Sequence, residues 1–196
     1  MKINLGLGLH WTDDLSYRDL VALIEETEDL GYEQIWISNE KFFRHMDVVT
    51  TLVAEHTRRV KIGTFVVDPY TVHPALTAML IGTLDEISGG RAVLGIGAGG
   101  TGFPVMGIQR TKPARAIQEA IQVIRSLWRG ETVDFEGQVI RCKNGRLNFK
   151  ARADIPIIVA SRGDLVLKTG GQAADGVMIA TYAEPVGIRY ALSLIE

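Results

Sequence analysis

Short, almost continuously apolar runs alternate with amphipathic helical stretches along the chain, and no other feature constrains its fold as much. The runs are Ile3–Leu9, Gln34–Ser38, Val60–Val67, Ala92–Ile96, Ile155–Ala160 and Gly176–Ala180. A strand with one wet face alternates apolar and polar residues. A run without that alternation suits a parallel sheet covered on both faces. The segments between carry the helical period. Tyr17, Leu20, Val21 and Ile24 fall on one face, and Gly31 supplies a stop. Pro74 opens a helix that Ala75, Leu76, Met79 and Leu84 continue and Ser88-Gly89-Gly90 ends. The clearest helix starts at Pro113, runs through Ile117, Ala120, Ile121, Ile124, Leu127 and Trp128, and stops at Gly130. A last stripe, Pro185 through Tyr190, Leu192 and Ile195, reaches the final residue, Glu196.

Residues 131–150 break this rhythm. Val133, Phe135 and Gly137, then Val139, Ile140, Leu147 and Phe149, read as short strands with turns at Glu136-Gly137 and Asn144-Gly145. They are expected to form an insertion packed on a single domain spanning residues 1–196. Six βα units are legible, and both a doubly wound sheet and a (β/α)8 barrel satisfy the alternation. The chain's 196 residues are short for an eight-unit barrel, which takes about 250. A barrel truncated after about six units would leave the first and last apolar runs as unpaired edges.

Lys and Arg number 21 against 23 Asp and Glu, a net charge of −2. That balance, with basic residues dispersed, excludes a protein held on nucleic acid by counterion release. No apolar run reaches the roughly 20 residues that span a bilayer, so no membrane partner is expected. The opening Met1-Lys2-Ile3-Asn4-Leu5 lacks a signal-peptide layout. A lone cysteine, Cys142, allows no intramolecular disulfide and no cysteine-based structural metal site, which makes a reducing cytoplasm the default.

In either architecture chemistry sits at the carboxyl ends of the strands. Those ends carry His10-Trp11, Ser38-Asn39-Glu40, Phe65 to Pro69, Gly97 to Gly102, Ser161-Arg162-Gly163 and Thr181-Tyr182. Gly97, Gly99 and Gly102 have the G-x-G-x-x-G spacing, but a dinucleotide fingerprint opens a helix directly in the first βα turn, and here Pro104, Gly107 and Pro113 delay it. The same glycines suit a floor that a flat ligand approaches closely, or a plain loop. Glu40 is a candidate proton carrier, since a partly desolvated carboxyl titrates near neutrality. Its plainer reading is a surface charge paired with Lys41 or Arg44. His10 serves equally as an active-site group or as cover for a strand end. Arg162, with free N–H groups at the following helix start, suits a phosphate; otherwise it is a surface turn in water. The histidines His45, His56 and His73 lack metal-ligand spacing.

The segments Ile62-Gly63-Thr64-Phe65-Val66-Val67-Asp68-Pro69-Tyr70-Thr71-Val72-His73-Pro74-Ala75, Thr83-Leu84-Asp85-Glu86-Ile87-Ser88-Gly89-Gly90-Arg91 and Leu94-Gly95-Ile96-Gly97-Ala98-Gly99 resemble the luciferase-like monooxygenase superfamily. Within it they are most similar to coenzyme F420-dependent methylenetetrahydromethanopterin reductases. Trp36-Ile37-Ser38, Ile155-Pro156-Ile157-Ile158-Val159-Ala160 and Ala174-Asp175-Gly176-Val177 extend the likeness. The resemblance implies a (β/α)8 barrel of the bacterial luciferase type with a small-strand insertion. It also implies an oxidoreductase that moves hydride between a deazaflavin and a small organic substrate, and a homo-oligomer when full length. Coenzyme F420 is the implied cofactor, with flavin mononucleotide (FMN) and monooxygenase chemistry as the alternative. A non-catalytic flavin-binding barrel remnant is a further one.

Carried over by position, the resemblance places a cis peptide at Phe65–Val66, where the family's bulge supports the back of the ring. It makes Asp68 a ring contact, lines the ring and ribityl chain with Ala98 and Gly99, and holds the phosphate with Arg162, Gly163, Leu165 and Val166. Related deazaflavin enzymes often carry Asp-His after the second strand, where this chain has Asn39-Glu40. Asn39 is then expected at a ring edge and Glu40 in place of the histidine as proton carrier. Some relatives carry a carboxylate where Gly100 stands.

Overall fold

Proline and glycine divide the chain into the elements seen in its computed structural model, which describes residues 4–10, 15–180 and 184–195. In chain order they are β1 (Gly6–Leu9), α1 (Tyr17–Asp29), β2 (Gln34–Ser38), α2 (Met46–His56), β3 (Lys61–Phe65), α3 (Pro74–Ser88) and β4 (Ala92–Gly97). There follow α4 (Pro113–Trp128), β5 (Val133–Glu136), β6 (Arg141–Gly145), β7 (Ile157–Ser161), α5 (Asp164–Ala173), β8 (Gly176–Ile179) and α6 (Pro185–Ile195). Ser16 caps α1 through a reciprocal pair with Asp19. Pro74 stands in the first turn of α3, and Gly89 closes that helix at φ 68°, a left-handed value that glycine adopts without strain.

Six strands form one parallel sheet in the order β1-β2-β3-β4-β7-β8. The order never reverses, so the sheet has no switch point and winds in one direction as a barrel does; the doubly wound alternative is excluded. Each helix packs on the next around the outside, from α1 on α2 to α5 on α6. Ile35, Ile37, Ile62, Leu94, Ile96, Ile157 and Val159 are buried beneath them. Among the described residues β1 and β8 each pair on one side only, which leaves the sheet open. No helix among the described residues is long and apolar enough to cross a membrane.

The helical stripes need two corrections. Tyr17 is exposed, while Leu20 and Ile24 of the same stripe are buried, together with Thr27 and Glu28. Leu76 and Met79 of α3 are about half exposed, while Thr77, Ala78, Ile81, Gly82 and Leu84 face the core. That face is small where aromatic rings meet it: Phe149 lies against Gly82, and Trp128 donates its indole N–H to the Ala78 carbonyl at 3.0 Å. The α4 stripe is buried as its periodicity predicts.

Two buried charges hold the connections at the far ends of the strands. The Glu28 carboxylate accepts the N–H groups of Arg58, Arg59 and Val60. The Arg91 guanidinium donates to the carbonyls of Ala54, Thr57, Val60 and Ser88. Arg91, part of the family-like Ser-Gly-Gly-Arg run, therefore bridges α2, α3 and the residue before β3, at the opposite end from the carboxyl ends of the strands.

Residues 131–150 contain an antiparallel pair, β5 with β6, that pairs Phe135 with Cys142 and Glu136 with Arg141. Leu147 and Phe149, expected in strands, instead follow the hairpin as irregular chain. The connection is held by Glu119 of α4, 3% exposed, whose carboxylate accepts the N–H groups of Gln138, Val139 and Ile140 at 2.9–3.0 Å. Burial alone would raise the pKa of Glu119; the three N–H donors, helped by Arg115, outweigh it and hold the carboxyl below its ordinary value of 4.5. A carboxyl whose native pKa is depressed stabilises the fold fully above the ordinary value, and that contribution is lost as pH falls toward the native one. Glu119→Gln is therefore expected to cost about 1–3 kcal/mol at pH 7. It should also make urea-unfolding stability less steep between pH 5 and pH 3, within about the carboxylate range. An unchanged pH slope would mean that Glu119 does not titrate with folding.

Candidate active site

The carboxyl ends of the six parallel strands surround a cavity of about 620 Å³. Asn39, Glu40, Phe65, Val66, Asp68, Ala98, Gly99, Arg162, Gly163 and Val166 all line it. Leu165 does not: it is 70% exposed on the outer side of α5, while Val166 turns inward and is buried. His10 also lines the cavity and meets Phe65 edge-on, with centroids 5.6 Å apart. Trp11, Thr181 and Tyr182 lie outside the described residues.

The floor is made where β3 parts from β4. Register holds at Ile62–Ala92 and Gly63–Val93, then lapses until Val67 meets Ile96. In the gap the Thr64 hydroxyl bonds both the carbonyl and the N–H of Gly95, at 2.8 and 2.9 Å. The Phe65–Val66 peptide is cis. Asn39 secures this stretch, its N–H donating to the Phe65 carbonyl and its side-chain amide to the Val66 carbonyl at 3.1 Å. The Asn39 amide N–H thus serves the protein's own backbone, and its Oδ1 has no partner among the described residues.

Neither ion pair considered for Glu40 forms. Lys41 turns to Asp68 at 3.1 Å and to the Thr71 hydroxyl at 3.2 Å, and Arg44 donates to the Leu15 carbonyl. Glu40 is half-buried and has no hydrogen-bonding or ionic partner among the described residues. Asn39, Glu40 and Lys41 separate the main cavity from a second one of about 400 Å³ lined by Phe42, Phe43, Val72, Leu76 and Leu80.

Asp68 lines the cavity and also ties two of its loops together. It is 1% exposed. Its oxygens accept the N–H groups of Tyr70 and Thr71, the Thr71 hydroxyl and the Lys41 ammonium. These bonds staple the β3–α3 loop to the segment bearing Glu40.

Gly97, Gly99 and Gly102 open no helix, since residues 98–112 intervene before α4. The dinucleotide reading is thereby excluded. Gly97 is required by the protein's own packing, because a Cβ there would lie 2.7 Å from Val66 Cγ2. Gly99 adopts φ 59°, and its carbonyl accepts a bond from Arg110 Nη1 at 2.8 Å. Tyr70 fixes the far end of the same loop, donating to the Thr111 carbonyl at 2.7 Å and meeting buried Phe103 edge-on. Burial raises the Tyr70 phenol's pKa above 10.0, with Arg110 opposing and Asp68 adding to the rise, so the hydroxyl stays a donor at neutral pH.

At the β7–α5 turn, Gly163 caps the helix without a side-chain acceptor. Ser161 Oγ takes the Gly163 N–H at 2.9 Å, and the N–H groups of Asp164 and Leu165 find no acceptor among the described residues. Arg162 is exposed and has no partner among them either. A helix start with free donors beside a free guanidinium can hold an anion. The other histidines are spent elsewhere: His56 bonds Glu25, and His73 caps α3 while bonding the Arg141 carbonyl. No group of three or more metal-binding side chains occurs among the described residues. Lys41 enters this site as the partner of Asp68 rather than Glu40. Arg110 lines the cavity without any sequence signal marking it, because its loop has neither period nor motif.

Residues 6–196 match the model of the luciferase-like monooxygenase family. The chain is 38% identical over 176 residues to the 5,10-methylenetetrahydromethanopterin reductase of Archaeoglobus fulgidus, covering 89% of this chain and 53% of that one. It is 30% identical over 173 residues to the F420-dependent glucose-6-phosphate dehydrogenase of Amycolatopsis mediterranei, covering 81% of this chain and 52% of that one. The solved coenzyme F420-dependent tetrahydromethanopterin reductase of Methanopyrus kandleri superposes on all of this chain and on 60% of its own, with a TM-score of 0.90 at 31% identity. The chain spans about half the length of the curated relatives it matches. On its sequence and on its strand order alike, it belongs to the luciferase-like monooxygenase family.

Proposed function

We propose that this chain binds coenzyme F420 and serves hydride transfer between the deazaflavin and a small organic substrate of the methylenetetrahydromethanopterin class. The observation that carries this reading is the polarity of the cavity. One end holds a free guanidinium, Arg162, beside the uncapped start of α5; the other holds the unpartnered carboxyl of Glu40. The donor set at the first end suits a phosphate, and a volume of about 620 Å³ lies within the range of cofactor and ligand pockets. The residues present therefore fit the cofactor. Bound there, a deazaflavin supplies a carbon that accepts or gives two electrons as hydride.

The protein's part is positioning and proton handling. Arg162 and the N–H groups of Asp164 and Leu165 hold the phosphate. The backbone at Ala98, Gly99 and Val66 forms the floor, with Asn39 fixing the Val66 carbonyl. Glu40 carries the proton that accompanies hydride transfer.

Separate titrations with coenzyme F420 and with FMN, followed by ring absorbance, test the reading. F420 should bind at least tenfold more tightly, a difference of about 1.4 kcal/mol. Equal or tighter FMN binding would favour monooxygenase chemistry, and binding without turnover of any substrate a non-catalytic barrel. Arg162→Ala should weaken F420 binding about tenfold and flatten its salt dependence, because an exposed guanidinium–phosphate contact is screened by salt. Unchanged affinity and unchanged salt response would move the phosphate elsewhere.

A further inference from the structure

The cavity holds more positive charge than a single phosphate needs. Of its three cationic side chains, Lys41 is neutralised by Asp68 at 3.1 Å. Arg162 and Arg110 have no acidic partner among the described residues. Arg110 is held by one bond, from Nη1 to the Gly99 carbonyl at 2.8 Å. That bond orients the guanidinium and leaves its remaining N–H donors available, enough for a two-pronged contact with a carboxylate.

Its position along the sheet says which part of a ligand it would meet. The strand ends run in the order β2, β3, β4, β7, carrying Glu40, then Phe65 and Val66, then Ala98 and Gly99, then Arg162. Arg110 hangs on Gly99 at the end of β4, next to the β7 end that bears Arg162, and two strands from Glu40. Both guanidiniums thus line the one cavity from the chain that follows two adjacent strands, β4 and β7.

We propose that Arg110 forms a second anion subsite, which takes a carboxylate of the acidic tail that continues beyond the cofactor's phosphate, while Arg162 and the start of α5 take the phosphate itself. This rests on the reading of the cavity as an F420 site. It adds a basis for preferring F420 over FMN: a ligand ending in one phosphate satisfies Arg162 and leaves Arg110 unused, whereas a phosphodiester with a carboxylate tail uses both.

The test compares two ligands on the unmodified chain, Arg110→Ala and Arg110→Lys. The ligands are coenzyme F420 and the phosphate-free deazaflavin alcohol, titrated by fluorescence at several salt concentrations. Arg110→Ala should weaken F420 binding about tenfold or more, the size of a lost charge-assisted contact. It should reduce the salt dependence and leave the phosphate-free ligand within about twofold, since no charged contact is lost there. Arg110→Lys should fall between, keeping the charge but losing the fork. If Arg110→Ala binds F420 like the unmodified chain, the subsite is overturned and the cofactor reading stands. Equal weakening of both ligands would also overturn it, making Arg110 a support for the Gly99 loop. If the unmodified chain binds no F420, the cofactor reading and the subsite fall together.

Discussion

Glu40→Gln is expected to lower turnover about a hundredfold or more while leaving the dissociation constant for F420 within about twofold, the signature of a lost general acid or base. Glutamine keeps the size and one acceptor of glutamate and cannot carry the proton. The cavity offers few substitutes. Asp68, the other carboxyl lining it, is buried under bonds from Tyr70, Thr71 and Lys41, and releasing it would break the staple between two loops. Measuring kcat and KM with methylenetetrahydromethanopterin, beside cofactor affinity, separates the roles. Equal loss of cofactor binding and rate would make Glu40 a ring contact. No change would return it to the surface charge that composition alone suggests, although the structure gives it neither Lys41 nor Arg44 as a partner.

Much of the fold was legible because burial on both faces leaves a strong signature. β2 spans Gln34–Ser38 as its unbroken apolar run indicates. The α4 stripe from Ile117 to Trp128 is buried as its period indicates. α3 was misread on one face. Leu76 and Met79 look like core residues, yet the side that packs on Phe149 and Trp128 needs small groups, and no local pattern reveals which neighbours a helix will meet. Leu147 and Phe149 were misread for a related reason, since short apolar alternation does not distinguish a strand from chain pinned by side-chain packing.

The site was legible to a different depth. Position at strand ends marked Glu40, Arg162 and the glycine run from the residues alone, whereas Phe65–Val66 and Asp68 came from the family resemblance. What stayed hidden were the long-range pairings. Lys41 meets Asp68 across 27 residues, and Glu119 holds a connection that begins 19 residues later. Such pairs follow from the strand order of the sheet, and a sequence with buried carboxylates fits many partnerships equally well. Arg110 was hidden because a loop of turns leaves its side chains without periodicity.

The glycines carry the other lesson, and Gly95 gives its sharpest test. The run from Gly95 to Gly102 reads as a floor for a flat ligand, yet at Gly95 the close approach is made by the protein itself. A Cβ there would fall well inside the contact distance of the Thr64 carbonyl oxygen, a backbone atom that no rotamer change can move. Bringing β3 that close lets the Thr64 hydroxyl bond both polar groups of Gly95, and it sets the path of residues 65–68 along the cavity. Gly95→Ala is therefore expected to destabilise the chain by about 3 kcal/mol or more, the upper end of overpacking costs. What folds should bind cofactor more weakly, because the shift needed to admit the methyl group moves the floor. Gly8→Ala is the matched control: a Cβ at Gly8 meets nothing within 4 Å, so its effect should stay within about 0.5 kcal/mol, as for surface substitutions. Urea unfolding of both variants decides the matter. If Gly95→Ala is as stable as Gly8→Ala, β3 and β4 are not held at this distance, and Gly95 is small for the ligand's sake.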